Sequence, residues 1–315
     1  MKISYIFYEK DYFKSLSILW NETLNNKSIE TSYSLIKWFA FKNAGYLFIA
    51  IDESNNKVVG SRGAWNWSFL FKQKKINAIQ FGLTAVSEKC RRKGIFSSLN
   101  TKFINTIDKK KIDFIYNVSL QNAKKGYEKL GWKYFDSMKR ITKVSLFSLF
   151  FNKKNDFKIT NKIDDEIIRI FNKINKNRKT YTSKLLPNHD ITFLLKRLSH
   201  KNDYKLLYNE NIIIIYKVKK NYNLNNVFIG EVYHDYIDDR LLKRAFNQLH
   251  KNEKSIFINT YITKSHPNNT LYKKCKFRML KKEYLSLGVK LLNDNLNFNE
   301  VKNNIVLSYL DLDTF

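Results

Sequence analysis

One stretch of the chain, Ile79 to Ile107, constrains its fold more than any other. Ile79, Phe81, Leu83 and Ala85 alternate with Gln80, Gly82 and Thr84, which is the period of a half-buried strand. After Gly94 the period changes. Ile95, Leu99, Phe103 and Ile107 then recur every four residues, as on one face of a helix of about three to four turns. Between the two lies a cationic connection, Arg91-Arg92-Lys93. The chain has only 9 glycines in 315 residues, and one of them, Gly94, opens this helix. Glycine weakens a helix interior and is used where the backbone turns sharply or is approached closely. The N–H groups at a helix start lack intrahelical partners and carry the positive end of the dipole, so they attract anions. Arg91, Arg92, Lys93, Gly94, Ile95, Phe96 and Ser97 therefore form a candidate phosphate cradle. A structural turn with a solvated basic rim satisfies the same spacing.

The flanking segments extend this strand–turn–helix into a mixed α/β pattern. "KISYIFY", "GYLFIAIDE" and "KVVGSRGAWNWSFLF" read as strands, and "KDYFKSLSILWNETL" and "TSYSLIKWFAFKNAG" as helices. Beyond the Gly94 helix come a strand "IDFIYNVSL", a short helix "NAKKGYEKLG" and a strand "WKYFDSMKRITKV". Hydrophobic residues at 43% and only 2 prolines exclude a disordered or fibrous chain, and 315 residues suit two domains. No apolar run approaches the roughly 20 residues of a membrane span, so "SLFSLFF" (Ser145–Phe151) reads as a buried strand or a domain joint. Early charge in "MKISYIFYEK" argues against a secretory signal, and a cytoplasmic protein is expected. Cys90 and Cys275 make no disulfide framework or zinc pattern. The five histidines, His189 to His266, lack ligand spacing, so no metal is expected.

The formal charge of +29 invites a nucleic-acid reading. However, only ten of the 57 basic residues are arginine, and the lysines are scattered among abundant Asn, Ile, Tyr and Phe. That pattern also follows from an A/T-rich coding sequence. Polyanionic ligands and acidic partners suit such a surface. The sequence carries no signal of oligomeric state.

The run from Val86 to Phe96, V-S-E-K-C-R-R-K-G-I-F, resembles the acyl-CoA-binding signature of the GNAT (N-acetyltransferase) superfamily. In that signature a strand ending in Val leads through a loop into Arg/Gln-x-x-Gly-x-Gly/Ala, and Val86, Arg91 and Gly94 stand at the matching places. The run from Asn122 to Trp132, N-A-K-K-G-Y-E-K-L-G-W, is similar to the family's second signal, an Asn-bearing turn, a Tyr and a Gly-aromatic pair. The order of elements resembles the GNAT fold over Lys2 to Val144. The resemblance implies acetyl-CoA or another acyl-CoA as co-substrate. Ala85 and Val86 would hold the thioester carbonyl through the strand backbone, and the Gly94 helix would hold the pyrophosphate. Asn122 would contact the cofactor, and Tyr127 would protonate the departing sulfur. Two positions depart from the pattern: Phe96 replaces a Gly or Ala, and Asn122 lies closer to Tyr127 than is usual. The cofactor strand carries no Glu or Asp to act as base. Glu88 lies in the loop, which leaves Asn117, ordering a water, and Thr84 as the candidates.

Past Asn155 the same order of elements recurs, from "DDEIIRIFNKINKN" to "SHPNNTLYKKCKF". Two GNAT-like domains in tandem are therefore expected, 1–154 catalytic and 155–315 a degenerate copy on the acceptor side. The turn matching Arg91–Gly94 holds Glu231, Asp235, Asp238 and Asp239 and no glycine, and Lys276 replaces the glycine that follows the second tyrosine, Tyr272. These carboxylates repel a pyrophosphate, so the second copy is not expected to bind CoA. His234, beside Asp235, is a candidate to face the acceptor. The expected activity is N-acyl transfer, most simply of acetyl, to a small primary amine such as an amino sugar of surface polysaccharide. The alternatives are an aminoacyl transferase using charged tRNA, for which the basic surface would be functional, and a non-catalytic CoA-binding module.

Overall fold

The strands and helices expected on either side of Gly94, from "KVVGSRGAWNWSFLF" to "WKYFDSMKRITKV", form. The computed structural model describes residues 1–24, 32, 34–38, 45–119, 121–145, 156–178, 183–199, 203–221, 224–235, 239–279 and 284–312. In chain order these hold β1 (Ile3–Phe7), α1 (Phe13–Thr23), β2 (Gly45–Asp52), β3 (Lys57–Phe71), β4 (Lys74–Val86), α2 (Ile95–Thr106), β5 (Phe114–Ser119), α3 (Gln121–Glu128) and β6 (Lys133–Val144). There follow β7 (Lys158–Thr160), α4 (Asp165–Arg178), β8 (Leu186–Pro187), α5 (Ile191–Leu198), β9 (Tyr204–Asn209), β10 (Ile212–Asn221) and β11 (Leu224–His234). The chain ends with α6 (Asp239–Asn252), β12 (Ser255–Thr263), α7 (Asn269–Lys274), β13 (Tyr284–Leu291) and α8 (Phe298–Asn304). "SLFSLFF" falls almost wholly outside the described residues, as do the expected boundary at 154 and much of the helix expected at "TSYSLIKWFAFKNAG". Among the described residues no helix is long and apolar enough to cross a membrane.

The chain divides into two compact units that interleave along the sequence. The first comprises Met1–Phe69, Lys75–Phe135 and Ser286–Glu300; the second comprises Leu70–Lys74, Asp136–Leu285 and Val301–Phe315. In the first unit the strand order is β1-β2-β3-β4-β5-β13. β4 and β5 run parallel, and β13 pairs antiparallel with β5. The second unit orders β6-β12-β11-β10-β9-β7, with β11 and β12 parallel and β6 antiparallel to β12. Each half of the sequence thus supplies an outer strand to the other half's sheet. This changes the reading of "WKYFDSMKRITKV". It is a strand, but most of it completes the second sheet, with Ile141 in the core of Ile214, Ile229 and Ile258. Ladder partners are chosen by which apolar faces meet, and adjacency in sequence does not decide them.

Both faces of the first sheet are covered, and β2 shows it residue by residue. Phe48 and Ala50 pack into one cluster with Ile95, Leu99 and Phe103 of α2, while Leu47, Ile49 and Ile51 pack into another with Leu16, Leu19 and Trp20 of α1. A strand buried on both sides reads as a continuous apolar run, as "LFIAI" does. The exchanged strand is fastened by Asp113, whose carboxylate accepts from Asn77 N–H (2.7 Å), Asn293 Nδ2 (3.2 Å) and Asn295 Nδ2 (2.6 Å).

In the second unit His250 is fully buried and its Nδ1–H donates to the Ser255 carbonyl at 2.7 Å. Burial, more than the nearby Lys143, lowers its pKa from 6.5 to about 4. The unfolded chain therefore takes up a proton that the folded chain refuses between these two values, and stability falls as pH drops from about 6.5 towards 4. The expected loss is of order 3 kcal/mol. Chemical denaturation across this range checks it: His250→Gln should flatten the slope, and an unchanged slope would count against the assignment.

Candidate active site

β4 and β5 pair only from Ala78↔Phe114 to Phe81↔Asn117, although β4 continues to Val86. The strands part because β4 is kinked at Leu83, whose φ of +45° lies in the left-handed region. The kink also shifts the alternation. Ile79 and Phe81 pack on the α2 side and Leu83 and Ala85 on the α1 side, yet Val86 returns to the α2 side. The half-buried pattern expected through Ala85 is therefore corrected twice over. An irregularity in a strand swaps faces beyond it, and Gln80 is itself buried, its Oε1 accepting from Trp67 Nε1 at 3.0 Å.

Past Val86 the chain makes a short 3-10 turn, Glu88–Cys90, and enters α2 through two left-handed residues, Arg92 (φ +63°) and Gly94 (φ +77°). Gly94 is the N-cap, and no side chain caps the helix. A Cβ on Gly94 would meet nothing within 4 Å, so its φ, and not lack of room, selects glycine there. Arg91, Arg92 and Lys93 are exposed, and Arg91 pairs with exposed Glu88 at 2.9 Å. Ile95 is buried beneath the helix and Ser97 is exposed beside it. An uncapped twelve-residue helix start, entered by left-handed backbone and rimmed by cations, fits the phosphates of an acyl-CoA. Phe96, the departure from the family pattern, lies against α3. Its ring would be 2.9 Å from a Cβ at Gly126, and it meets Tyr127 edge-on at 5.0 Å. The bulk gained at Phe96 is matched by the side chain missing at Gly126.

Tyr127 is 3% exposed, wedged between Phe96 and Trp132. Its hydroxyl oxygen accepts a hydrogen bond of 2.7 Å from Nη1 of Arg62. The same Nη1 donates to the hydroxyl of Thr84, just beyond the kink in β4. Arg62 is fully buried, its Nε and Nη2 have no hydrogen-bond partner, and its guanidinium lies 4.7 Å from the centre of Phe81 and 5.5 Å from that of Tyr127. Sequence reasoning missed Arg62. A signal existed, because it is the only charge from Val58 to Phe71 in an otherwise apolar strand. Asn117, at the last β4–β5 pair, is 2% exposed; its Oδ1 accepts from Tyr134 at 2.9 Å and its Nδ2 has no partner. The fold thus brings Thr84, Asn117 and Tyr127 into the parting of the strands. Glu88 stays on the exposed turn, and the side chain of Asn122, at the start of α3, lies outside the described residues. No three His, Cys, Asp or Glu side chains among the described residues are placed to hold a metal ion.

An anion cradle that opens beside a buried phenol suits transfer of an activated acyl group, and the comparisons agree. Residues 6–135 match the family of the acetyltransferase (GNAT) domain. A GCN5-related N-acetyltransferase from Anabaena variabilis superposes with a TM-score of 0.67 at 10% identity, over 93% of this chain and 73% of that one. A conserved protein of unknown function from Enterococcus faecalis V583 gives 0.67 at 12% identity over the same shares, 93% and 73%. Saccharomyces cerevisiae N-myristoyltransferase with bound myristoyl-CoA gives 0.60 at 11% identity, over 92% and 79%. A search of curated protein sequences finds no match. Residues 6–135 thus match a GNAT acetyltransferase domain, and the fold is that of the N-acetyltransferase structures.

Arg62→Met should leave the fold standing, since replacing a buried ion by an apolar chain of similar length is often close to neutral. It should slow turnover by about 10- to 100-fold by loosening Tyr127, with acetyl-CoA affinity little changed. Thermal melting, calorimetry and thiol release over a panel of primary amines check this. Turnover equal to wild type would reduce Arg62 to a packing residue.

Proposed function

We propose that the protein is an acyl-CoA-dependent N-acyltransferase that moves an acetyl group to a primary amine, with an amino sugar as the acceptor class. The observation that carries this is the Phe96–Tyr127 contact, which sets a phenol one side chain away from the uncapped start of α2. When bound, acyl-CoA supplies a thioester open to attack by an amine, with a thiol as leaving group. The first-turn N–H groups of α2, with Arg92 and Lys93, hold its phosphates. The strand backbone at Ala85 and Val86, past the end of the β4–β5 ladder, donates to the thioester carbonyl oxygen and stabilises the charge that develops there. Because Arg62 donates to the Tyr127 oxygen, Tyr127 keeps its own proton to give to the departing sulfur. Asn117 is neutral and takes no proton itself; its Nδ2 holds the water that receives one from the attacking amine.

The second unit we read as a degenerate copy without a CoA site. Its parallel pair is followed by a helix that begins at Asp239, a carboxylate where a phosphate would sit, and Asp238 lies outside the described residues. Tyr272, the counterpart of Tyr127, is 1% exposed. Burial first, then Glu231 and Cys275, push its pKa well above the usual tyrosine range, so it is a poor proton donor.

Calorimetry with acetyl-CoA should give one site per chain, lost in Gly94→Glu and untouched by tRNA. Two sites, or tRNA displacing acetyl-CoA, would overturn the reading. Tyr127→Phe should lower kcat by roughly 10²- to 10⁴-fold with acetyl-CoA affinity preserved; a variant within a few-fold of wild type would return Tyr127 to the core.

A further inference from the structure

Two neighbouring residues of β3 grip the kink in β4, one on each face of the sheet. On the α2 side Arg62 reaches the hydroxyl of Thr84. On the α1 side Ser61, level with Ile49 of β2, reaches the carbonyl of Leu83 at 3.3 Å. Ser61 is fully buried, on the side where Trp20 of α1 packs with Leu83 and Ala85. A hydroxyl in such a place costs free energy unless it is hydrogen-bonded, and packing alone would accept an alanine.

What the Ser61 hydroxyl does is fixed by its second partner. Nε1 of Trp20 lies 2.7 Å from Ser61 Oγ, and an indole nitrogen can only donate. Ser61 therefore accepts from Trp20, and its one proton goes to the Leu83 carbonyl. The chain Trp20 to Ser61 to Leu83 runs in one direction, with every donor and acceptor assigned by chemistry alone. The indole sits on a helix that is itself tied to β3, because Val58 N–H donates to Ser15 Oγ at 2.8 Å. At its other end the kinked segment is held by Ser87 N–H, which donates to the Val59 carbonyl at 2.9 Å. Between these two anchors the chain crosses only Thr84, Ala85 and Val86. The bond from Ser61 holds the peptide that follows Leu83, the residue with φ of +45°. It is long for a hydroxyl donor, so the effect expected from its loss is moderate.

We propose that Ser61, its hydroxyl aimed by Trp20, is the positioning residue that holds β4 kinked and so sets the backbone of Ala85 and Val86 for the thioester. Ser61 touches no substrate and acts through Leu83. Its part in transfer rests on the reading that Ala85 and Val86 face the thioester carbonyl; its hold on the kink does not.

The test compares Ser61→Ala, Ser61→Thr and Trp20→Phe in the intact chain. Ser61→Ala should lower kcat for primary amines about tenfold, the scale of a small misplacement at the reacting carbonyl, with acetyl-CoA affinity changed by about threefold at most. Amide hydrogen exchange should quicken from Leu83 to Ser87 and stay unchanged in α2. Ser61→Thr restores the hydroxyl and should recover both readouts, which a residue that merely fills space would not do. Trp20→Phe leaves the hydroxyl but frees its rotation, and should move both readouts in the direction of Ser61→Ala. Thermal melting shows which variants fold; where a Ser61 variant does not, Trp20→Phe decides on the same readouts. Unchanged exchange from Leu83 to Ser87, or a loss of kcat that threonine fails to recover, would overturn the proposal. A wild-type chain that acylates no amine, with exchange still quickened in Ser61→Ala, would overturn the acyl-transfer reading while supporting Ser61 as the holder of the kink.

Discussion

The first unit depends on two parallel strands that stop pairing before they end. A parallel ladder is normally continuous, because each freed backbone group must find another partner. Here the kink at Leu83 ends it at Phe81 and Asn117. A leucine in the left-handed region costs about 1–3 kcal/mol, and such strain persists only where the surroundings impose it. The surroundings are visible. Ser61 donates its hydroxyl to the Leu83 carbonyl, and Ser87 N–H bonds the Val59 carbonyl, so β3 holds the chain at the kink and just past the end of β4. The parting turns Val86 towards α2 and makes room for Thr84, Asn117 and Tyr127 to converge.

Arg62 occupies that room at a cost. Removing a guanidinium from water costs several kcal/mol even after relaxation, and no carboxylate pairs with it among its described contacts. Contacts with aromatic faces return about 2 kcal/mol when desolvated, and the bonds to Thr84 and Tyr127 add charge-assisted hydrogen bonds. Packing alone would favour an apolar residue at this place. A buried cation directed at a phenol oxygen supports the proposed role of Tyr127, in which negative charge passes through the site as a thiolate leaves.

The exchange of strands links the two halves of the sequence. β5 needs β13 on its outer side, and β12 needs β6. A fragment ending at residue 154 would lack the strand that Asp113 fastens through Asn293 and Asn295. The second unit would likewise lose Ile141 from its core. Sequence order suggested two consecutive domains because a similar order of elements follows Asn155, but hydrogen bonding across the sheets follows space.

Short-range chemistry was legible in the sequence. The four-residue spacing from Ile95 to Phe103 gave α2, and the glycine among cations marked the turn that needs a positive φ. The Tyr127-to-Trp132 spacing located the phenol. These are properties of neighbouring residues and survive in one dimension. The order of the second half could be read for the same reason, down to the helix Asp239–Asn252. What only the tertiary structure decided is whatever depends on residues distant in the chain. The kink at Leu83 could not be read, because nothing in a leucine announces a left-handed φ; β3 imposes it. Arg62 gained its role from a tyrosine sixty-five residues away. Partners for β6 and β13 were likewise set by packing, because burial and hydrogen-bond direction are defined only once the chain has closed on itself.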